Sequence, residues 1–203
     1  IVENLLVSPL PKSNPLVDFK LKTVTIRLKD TLEPNTTYLL NFGNAIKDFT
    51  EGNPVKGFSY TFSTGSYIDS LEMQGKVILA ETGKIDTTLV VILHTSPNDS
   101  AVQKEKPRYI ARLDSKGDFV FKNLPSKTFY VYTLKNESGT YRYFGDKQLF
   151  GFADKPVTVQ SKTEPVTLYA YASSPAAATL AIPSINLNIG NRRKGPETVD
   201  TRL

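Results

Sequence analysis

TLEPNTTYLLNFGNAIKDFTEGNPVKGFSYTFSTG, Thr31 to Gly65, is the stretch on which the fold turns. Leu32-Glu33-Pro34-Asn35 reads as a turn, since these are residue types that tight turns favour. Tyr38-Leu39-Leu40-Asn41-Phe42 reads as a strand. Phe58-Ser59-Tyr60-Thr61-Phe62 alternates apolar and polar residues, the period of a half-buried strand. Between them Asp48 to Pro54 is a loop, and Gly65 closes the unit. The stretch holds no catalytic constellation. Upstream, Pro9, Pro11 and Pro15 exclude a regular helix across Leu5 to Pro15, because each ring removes a backbone donor. Val24-Thr25-Ile26-Arg27-Leu28 alternates again.

Downstream the same grammar recurs. Met73 to Leu79 and Leu89 to His94 read as strands, and Ser96 to Pro107 as a polar loop. Tyr109 to Leu113 resumes the pattern, and Asp114-Ser115-Lys116-Gly117 is a hairpin turn in which Gly supplies the positive φ. Phe119 to Phe121 and Phe129 to Leu134 are strands flanking Asn123-Leu124-Pro125. A turn at Asn136 to Gly139 leads into the strand-like Tyr141-Arg142-Tyr143-Phe144, and Val166 to Tyr171 is the last strand. Alternation puts Phe129, Val131 and Thr133 on one face, with Tyr130, Tyr132 and Leu134 on the other. Both faces carry apolar bulk, so burial on both sides is expected. After Ser173 the composition shifts to Ser, Ala, Pro, Asn and Gly, with a strand-like Ile185 to Ile189 inside. Strands at short intervals without a helical period predict an all-β protein of tandem β-sandwiches, Greek-key in type.

Composition bounds the function. A chain of 203 residues with 39% hydrophobic residues, 11 Phe and 10 Tyr can pack two small cores. There is no Cys, which excludes disulfides, thiolate metal sites and a cysteine nucleophile in this segment. The net charge of +5 raises nucleic acid as a partner. Lysines and acids are interspersed, however, as in Lys47-Asp48 and Lys104-Glu105-Lys106, and only Arg192-Arg193-Lys194 forms a basic cluster. A solvated lysine-rich surface with no nucleic-acid partner is the expectation. No apolar run is long enough to span a membrane as a helix. The chain opens at Ile1-Val2-Glu3 without an initiator Met and is expected to be a fragment or a processed product.

Leu32 to Tyr38, Ile46-Lys47-Asp48, Glu51-Gly52-Asn53-Pro54 and Phe62-Ser63-Thr64-Gly65 together resemble the C-terminal part of a bacterial Ig-like domain of the surface-layer type. The resemblance implies that residues before Ile1 complete that sandwich. Gln74-Gly75-Lys76-Val77, Gly117 to Pro125 and Phe129-Tyr130-Val131-Tyr132 resemble a transthyretin-like or carboxypeptidase-regulatory-like β-sandwich. The expected division is 1–65 for the Ig-like part and 66–172 for the second sandwich, with 173–203 a linker or the start of a truncated third unit. Both units in this order resemble an Ig-like envelope lipoprotein family of Bacteroidota. That resemblance implies a cell-envelope location, at the outer membrane or cell surface. Contact with the membrane would come only through an N-terminal lipid anchor outside this segment.

No catalytic residues are expected. His94 is the single histidine, and a base needs a nucleophile and an orienting partner. Asp48, Glu51 and Asn53 could offer oxygens to Ca²⁺, the one cofactor the sequence suggests, but the same residues suit a tight turn. Tyr130, Tyr132, Tyr141 and Tyr143 are the candidates for ligand binding, because exposed aromatic rings hold sugars or protein partners. The alternative is that they are core tyrosines with satisfied hydroxyls. These observations lead to a non-catalytic envelope module for scaffolding or protein binding. The alternative function is a carbohydrate-binding or accessory module of a polysaccharide-handling complex. The partner is then an envelope protein or a surface glycan.

Overall fold

A computed structural model describes residues 5–173 apart from Lys22, Phe49 and Lys56. The expected linker or third unit, with Ile185 to Ile189 and the Arg192-Arg193-Lys194 cluster, lies outside the described residues. Strand accounts for 42% of the chain and helix for 2%, which makes the fold all-β. The elements are β1 (Leu6–Ser8), β2 (Leu16–Lys20), β3 (Thr23–Arg27), β4 (Thr37–Asn41), β5 (Ser59–Ser63), β6 (Leu71–Leu79) and β7 (Leu89–His94). There follow α1 (Ala101–Lys104), β8 (Tyr109–Arg112), β9 (Asp118–Leu124), β10 (Thr128–Lys135), β11 (Phe150–Phe152), β12 (Val157–Thr158) and β13 (Val166–Ala170).

Thr31 to Gly65 forms the β4–β5 hairpin, and its two ends are stitched together. The Thr64 hydroxyl donates to the Glu33 carbonyl at 2.6 Å and accepts from the Thr36 N–H at 3.0 Å. This gives the Leu-Glu-Pro-Asn turn and the Phe-Ser-Thr-Gly stop a shared physical reason. β1 pairs with β4 to make the sheet β1-β4-β5, while β2 and β3 form a separate hairpin. Val7, Tyr38, Leu40 and Phe42 are the core here, joined by Ile26, Leu28 and Phe62, and Tyr38 stacks on Phe62 at 5.3 Å.

The remaining strands make a sandwich. One sheet runs β11-β10-β7-β8, with β12 also on β10, and the other runs β13-β6-β9. The inner faces meet in a core that includes Met73, Val77, Leu89, Val91, Leu93, Phe119, Phe121, Phe129, Val131 and Leu168. β6 carries Gly75 because Phe119 lies on it: a Cβ there would sit 2.6 Å from the ring and 2.0 Å from the Val166 carbonyl oxygen.

The larger sheet is buried on its outer face too. Val90, Ile92, Ile110 and Leu134 form a second cluster there with Val102 of α1. Leu6, Leu10, Tyr141, Tyr143 and Phe150 cover it. All six residues of β7 are buried in consequence, and the unbroken apolar run Leu89 to Leu93 is the sequence trace of that two-sided burial. Leu6 and Leu10 belong to the N-terminal part, so this cluster joins it to the sandwich. The contacts up to Ser173 form one compact unit.

Two readings of local structure are corrected. Tyr141 to Phe144 is not a strand. It runs irregularly across the outer cluster, where Tyr141 and Tyr143 both point apolar bulk inward. Ser96 to Pro107 is not wholly loop, since α1 forms in it to bury Ala101 and Val102.

Gly75→Ala forces Phe119 and the β13 backbone apart. We expect a stability loss of about 3 kcal/mol in urea unfolding, at the upper end of overpacking costs. An unchanged midpoint would contradict the packing described.

Candidate functional site

The larger sheet's outer face turns from covered to open at the β11 side. Register places Tyr130 opposite His94, Tyr132 opposite Ile92 and Phe152, and Leu134 opposite Phe150, all on this face. The alternation of Phe150-Gly151-Phe152 sets both phenylalanines outward. Gly151 faces inward, where a Cβ would meet the Tyr169 carbonyl oxygen at 2.4 Å. Here lies an open cleft of about 450 Å³, floored by Val102, Tyr130, Tyr132, Tyr143, Phe150 and Phe152. Asp99, Gln103, Asp154 and Lys155 stand on its rim.

The rings form a continuous surface. Tyr143 and Phe150 have centroids 4.3 Å apart, Tyr132 stacks on Phe150 at 5.9 Å, and Phe152 lies 6.1 Å from Phe150. Phe152 is 48% exposed, so this end of the surface faces solvent. Tyr143 reaches the cleft from the segment between β10 and β11, which hydrogen bonds fix. Its N–H donates to the Val102 carbonyl at 3.0 Å, tying the segment to α1. The Gln148 side chain donates to the carbonyls of Lys135 and Arg142 and accepts from the Phe144 N–H. Removing three bonds from one half-buried amide leaves backbone groups without partners.

Beneath the floor His94 meets the Tyr132 ring edge-on at 5.9 Å. It is buried, and its Nε2 has no hydrogen-bond partner among the described residues. Burial holds its pKa below the ordinary histidine range, against an opposing pull from Glu105. Burial likewise pushes the Tyr132 hydroxyl upward, with Asp99 and then Tyr130 adding to the effect. Among the described residues no nucleophile or orienting carboxylate is hydrogen-bonded to His94, and the ring packs as a buried group against Tyr132.

Three of the four candidate tyrosines, Tyr130, Tyr132 and Tyr143, come together in the cleft. Tyr141 does not; it is half-buried in the outer cluster with φ 58°, its N–H bound to Asn136 Oδ1 at 2.9 Å. The sequence reading missed Phe150, Phe152 and the rim residues. The available signal was the Phe-Gly-Phe alternation, which sets two rings on one face.

Asp48, Glu51 and Asn53 also meet, around a tight turn. The Asp48 carboxylate accepts from the N–H groups of Thr50, Glu51 and Asn53 at 2.7–2.8 Å, and the Asn53 amide donates to Glu51. Those N–H groups, that of Glu51 foremost, hold the Asp48 pKa below the usual carboxylate range. Among the described residues no three His, Asp or Glu side chains gather as a metal site.

With this geometry in place, a family model described as bacterial Ig-like domain matches residues 5–64. That stretch, β1 to β5, is an Ig-like domain. Such domains are generally non-catalytic and typically extracellular or surface-exposed, as surface and adhesion modules are. No curated protein and no solved structure matches the chain. No helix among the described residues is long and apolar enough to cross a membrane.

His94 gives the site a pH signature. Because its native pKa is depressed, its contribution is complete above about pH 6.5, the unfolded value, and is lost as pH falls through the native one. As the single histidine, it dominates side-chain titration between pH ~6.5 and ~5. We expect wild-type stability in urea to fall across that interval and His94→Leu to flatten the fall. Equal slopes in both proteins would contradict it.

Proposed function

We propose that this chain is a non-catalytic module of the bacterial cell envelope, one that holds two β-sandwich parts as a single stiff body and presents a binding face to a partner. The observation that carries the reading is the clasp between the Ig-like part and the second sandwich. Arg108 makes a two-pronged ion pair with Glu33, with Nη2 to Oε2 at 2.6 Å. The Leu10 N–H donates to the Arg108 carbonyl at 2.8 Å, and Lys106 Nζ donates to the Lys12 carbonyl at 2.6 Å.

The connecting segment is held from both sides. The Asp69 N–H donates to Thr37 Oγ1 at 2.8 Å, and the Asp69 carbonyl accepts from Asn123 Nδ2 at 2.8 Å. With Leu6 and Leu10 seated in the outer cluster, a hinge has little room here. Stiffness of this kind suits a spacer or scaffold whose task is to keep a binding face at a fixed distance and angle.

The division at 65/66 and the transthyretin-like character of the second sandwich belong to this proposal. So do attachment at the outer membrane by an N-terminal lipid and kinship with Ig-like lipoproteins of Bacteroidota. They rest on the motifs quoted above and on the surface habit of Ig-like domains.

Antibodies raised against residues 66–172 should label intact cells of the producing organism, and external protease should remove the label. Labelling only after lysis would overturn the envelope reading. In the purified protein Glu33→Ala should cost about 1 kcal/mol, as for a partly exposed ion pair with good geometry. It should also broaden the interpart orientations seen by small-angle scattering; an unchanged profile and stability would remove the clasp from the account.

A further inference from the structure

The cleft on the outer face of the larger sheet has an apolar floor and polar groups that no other described residue engages. Among the described residues the Asp99 and Asp154 carboxylates, the Lys155 ammonium, the Gln103 amide and the hydroxyls of Tyr130 and Tyr132 take part in no hydrogen bond or ion pair. Yet Asp99 and Tyr130 lie near enough to Tyr132 to act electrostatically on its hydroxyl. Several other polar side chains are held by turns or by the backbone, as Asp48, Asp86, Asp114 and Gln148 are; those of the cleft are set apart by lining one aromatic surface together. Free polar groups converging over stacked rings are the ingredients of a ligand site, and the cleft's size lies within the range of such sites, about 300–1,000 Å³.

We infer that this cleft binds a pyranose unit of an uncharged glycan. The inference rests on the reading of the chain as a surface binding module and names its ligand class. The rim decides the charge. It carries two carboxylates and one ammonium, so an anion is repelled by Asp99 and Asp154, and a cation, although drawn to them, leaves the Lys155 ammonium without a partner. A neutral polyol satisfies both signs, its hydroxyls donating to the carboxylates and accepting from the ammonium and the Gln103 amide. The floor decides the shape. Phe152, the exposed ring of the floor, is the surface on which the C–H face of a sugar ring would sit, and Tyr130 and Tyr132, which line the same cleft, carry hydroxyls able to bond its edge. Gln148 and the Tyr143 N–H to Val102 bond hold the floor in place before the ligand arrives, which limits the ordering cost of binding.

The test is a glycan array bearing neutral and acidic glycans, followed by NMR titration of the ¹⁵N-labelled protein with the neutral oligosaccharide that gives the strongest signal. Choline and a proline-rich peptide serve as competing probes. Neutral glycans should be retained in preference to acidic ones and should shift the amides of residues 99–103, 130–132 and 150–155. Phe152→Ala and Asp99→Asn, both at exposed positions, should each weaken binding roughly tenfold with the fold intact by NMR. Tyr169→Ala, an exposed tyrosine on the other sheet, should leave it unchanged. Four outcomes would overturn the inference: no neutral glycan retained, acidic glycans preferred, choline or the peptide bound in their place, or affinity indifferent to Phe152→Ala and Asp99→Asn. Surface labelling of cells is a separate readout, so a failed array leaves the envelope reading standing, and a failed labelling leaves the array result intact.

Discussion

Burial of the larger sheet on both faces is the constraint from which the rest of this structure follows. β7 and β10 lie at its centre, and their inner side chains pack against β6, β9 and β13 to make the sandwich core. Their outer side chains would otherwise expose Val90, Ile92 and Leu134 to water. At about 25 cal/mol per Å² of apolar surface, leaving such residues uncovered costs several kcal/mol. Three separate pieces of chain are recruited to cover them: α1, the segment between β10 and β11, and Leu6 with Leu10 from the Ig-like part. The first two also build the cleft, and the third locks the N-terminal part to the sandwich. Scaffold and site are thus two consequences of one apolar face.

The sequence made the strands legible wherever periodicity was clean. Tyr38 to Phe42, Leu89 to His94 and Phe129 to Leu134 each show the pattern that the structure keeps. The two-sided apolar bulk of Phe129 to Leu134 predicted burial on both faces, and both clusters are present. Short strands escaped notice. Leu6 to Ser8 sits among prolines, and Val157–Thr158 is too short to have a period. Tyr141 to Phe144 misled because an alternating aromatic run suits a strand, whereas here the rings serve as a cover and the backbone bonds go to side chains of Asn136 and Gln148.

The candidate site was half legible. Three of its tyrosines could be named because aromatic residues crowd that part of the chain. Asp99 and Asp154 could not, because a cleft brings together residues far apart in sequence and only the fold makes them neighbours. The Ig-like motif was readable for the opposite reason: its turn and its stop lie on one hairpin, and Thr64 joins them directly. Local chemistry writes itself into a short stretch of sequence, and tertiary convergence does not.

Hydrogen exchange of the whole chain, read by mass spectrometry peptide by peptide, tests the two-sided burial most directly. Amides of Leu89–His94 and of the facing stretch of β10 should be the slowest to exchange, opening only with global unfolding. Leu10→Asp should accelerate them together with Ala101–Lys104 at the cover. Exchange in Leu89–His94 as fast as in the exposed β2–β3 hairpin, or a Leu10→Asp protein indistinguishable from wild type there, would contradict it.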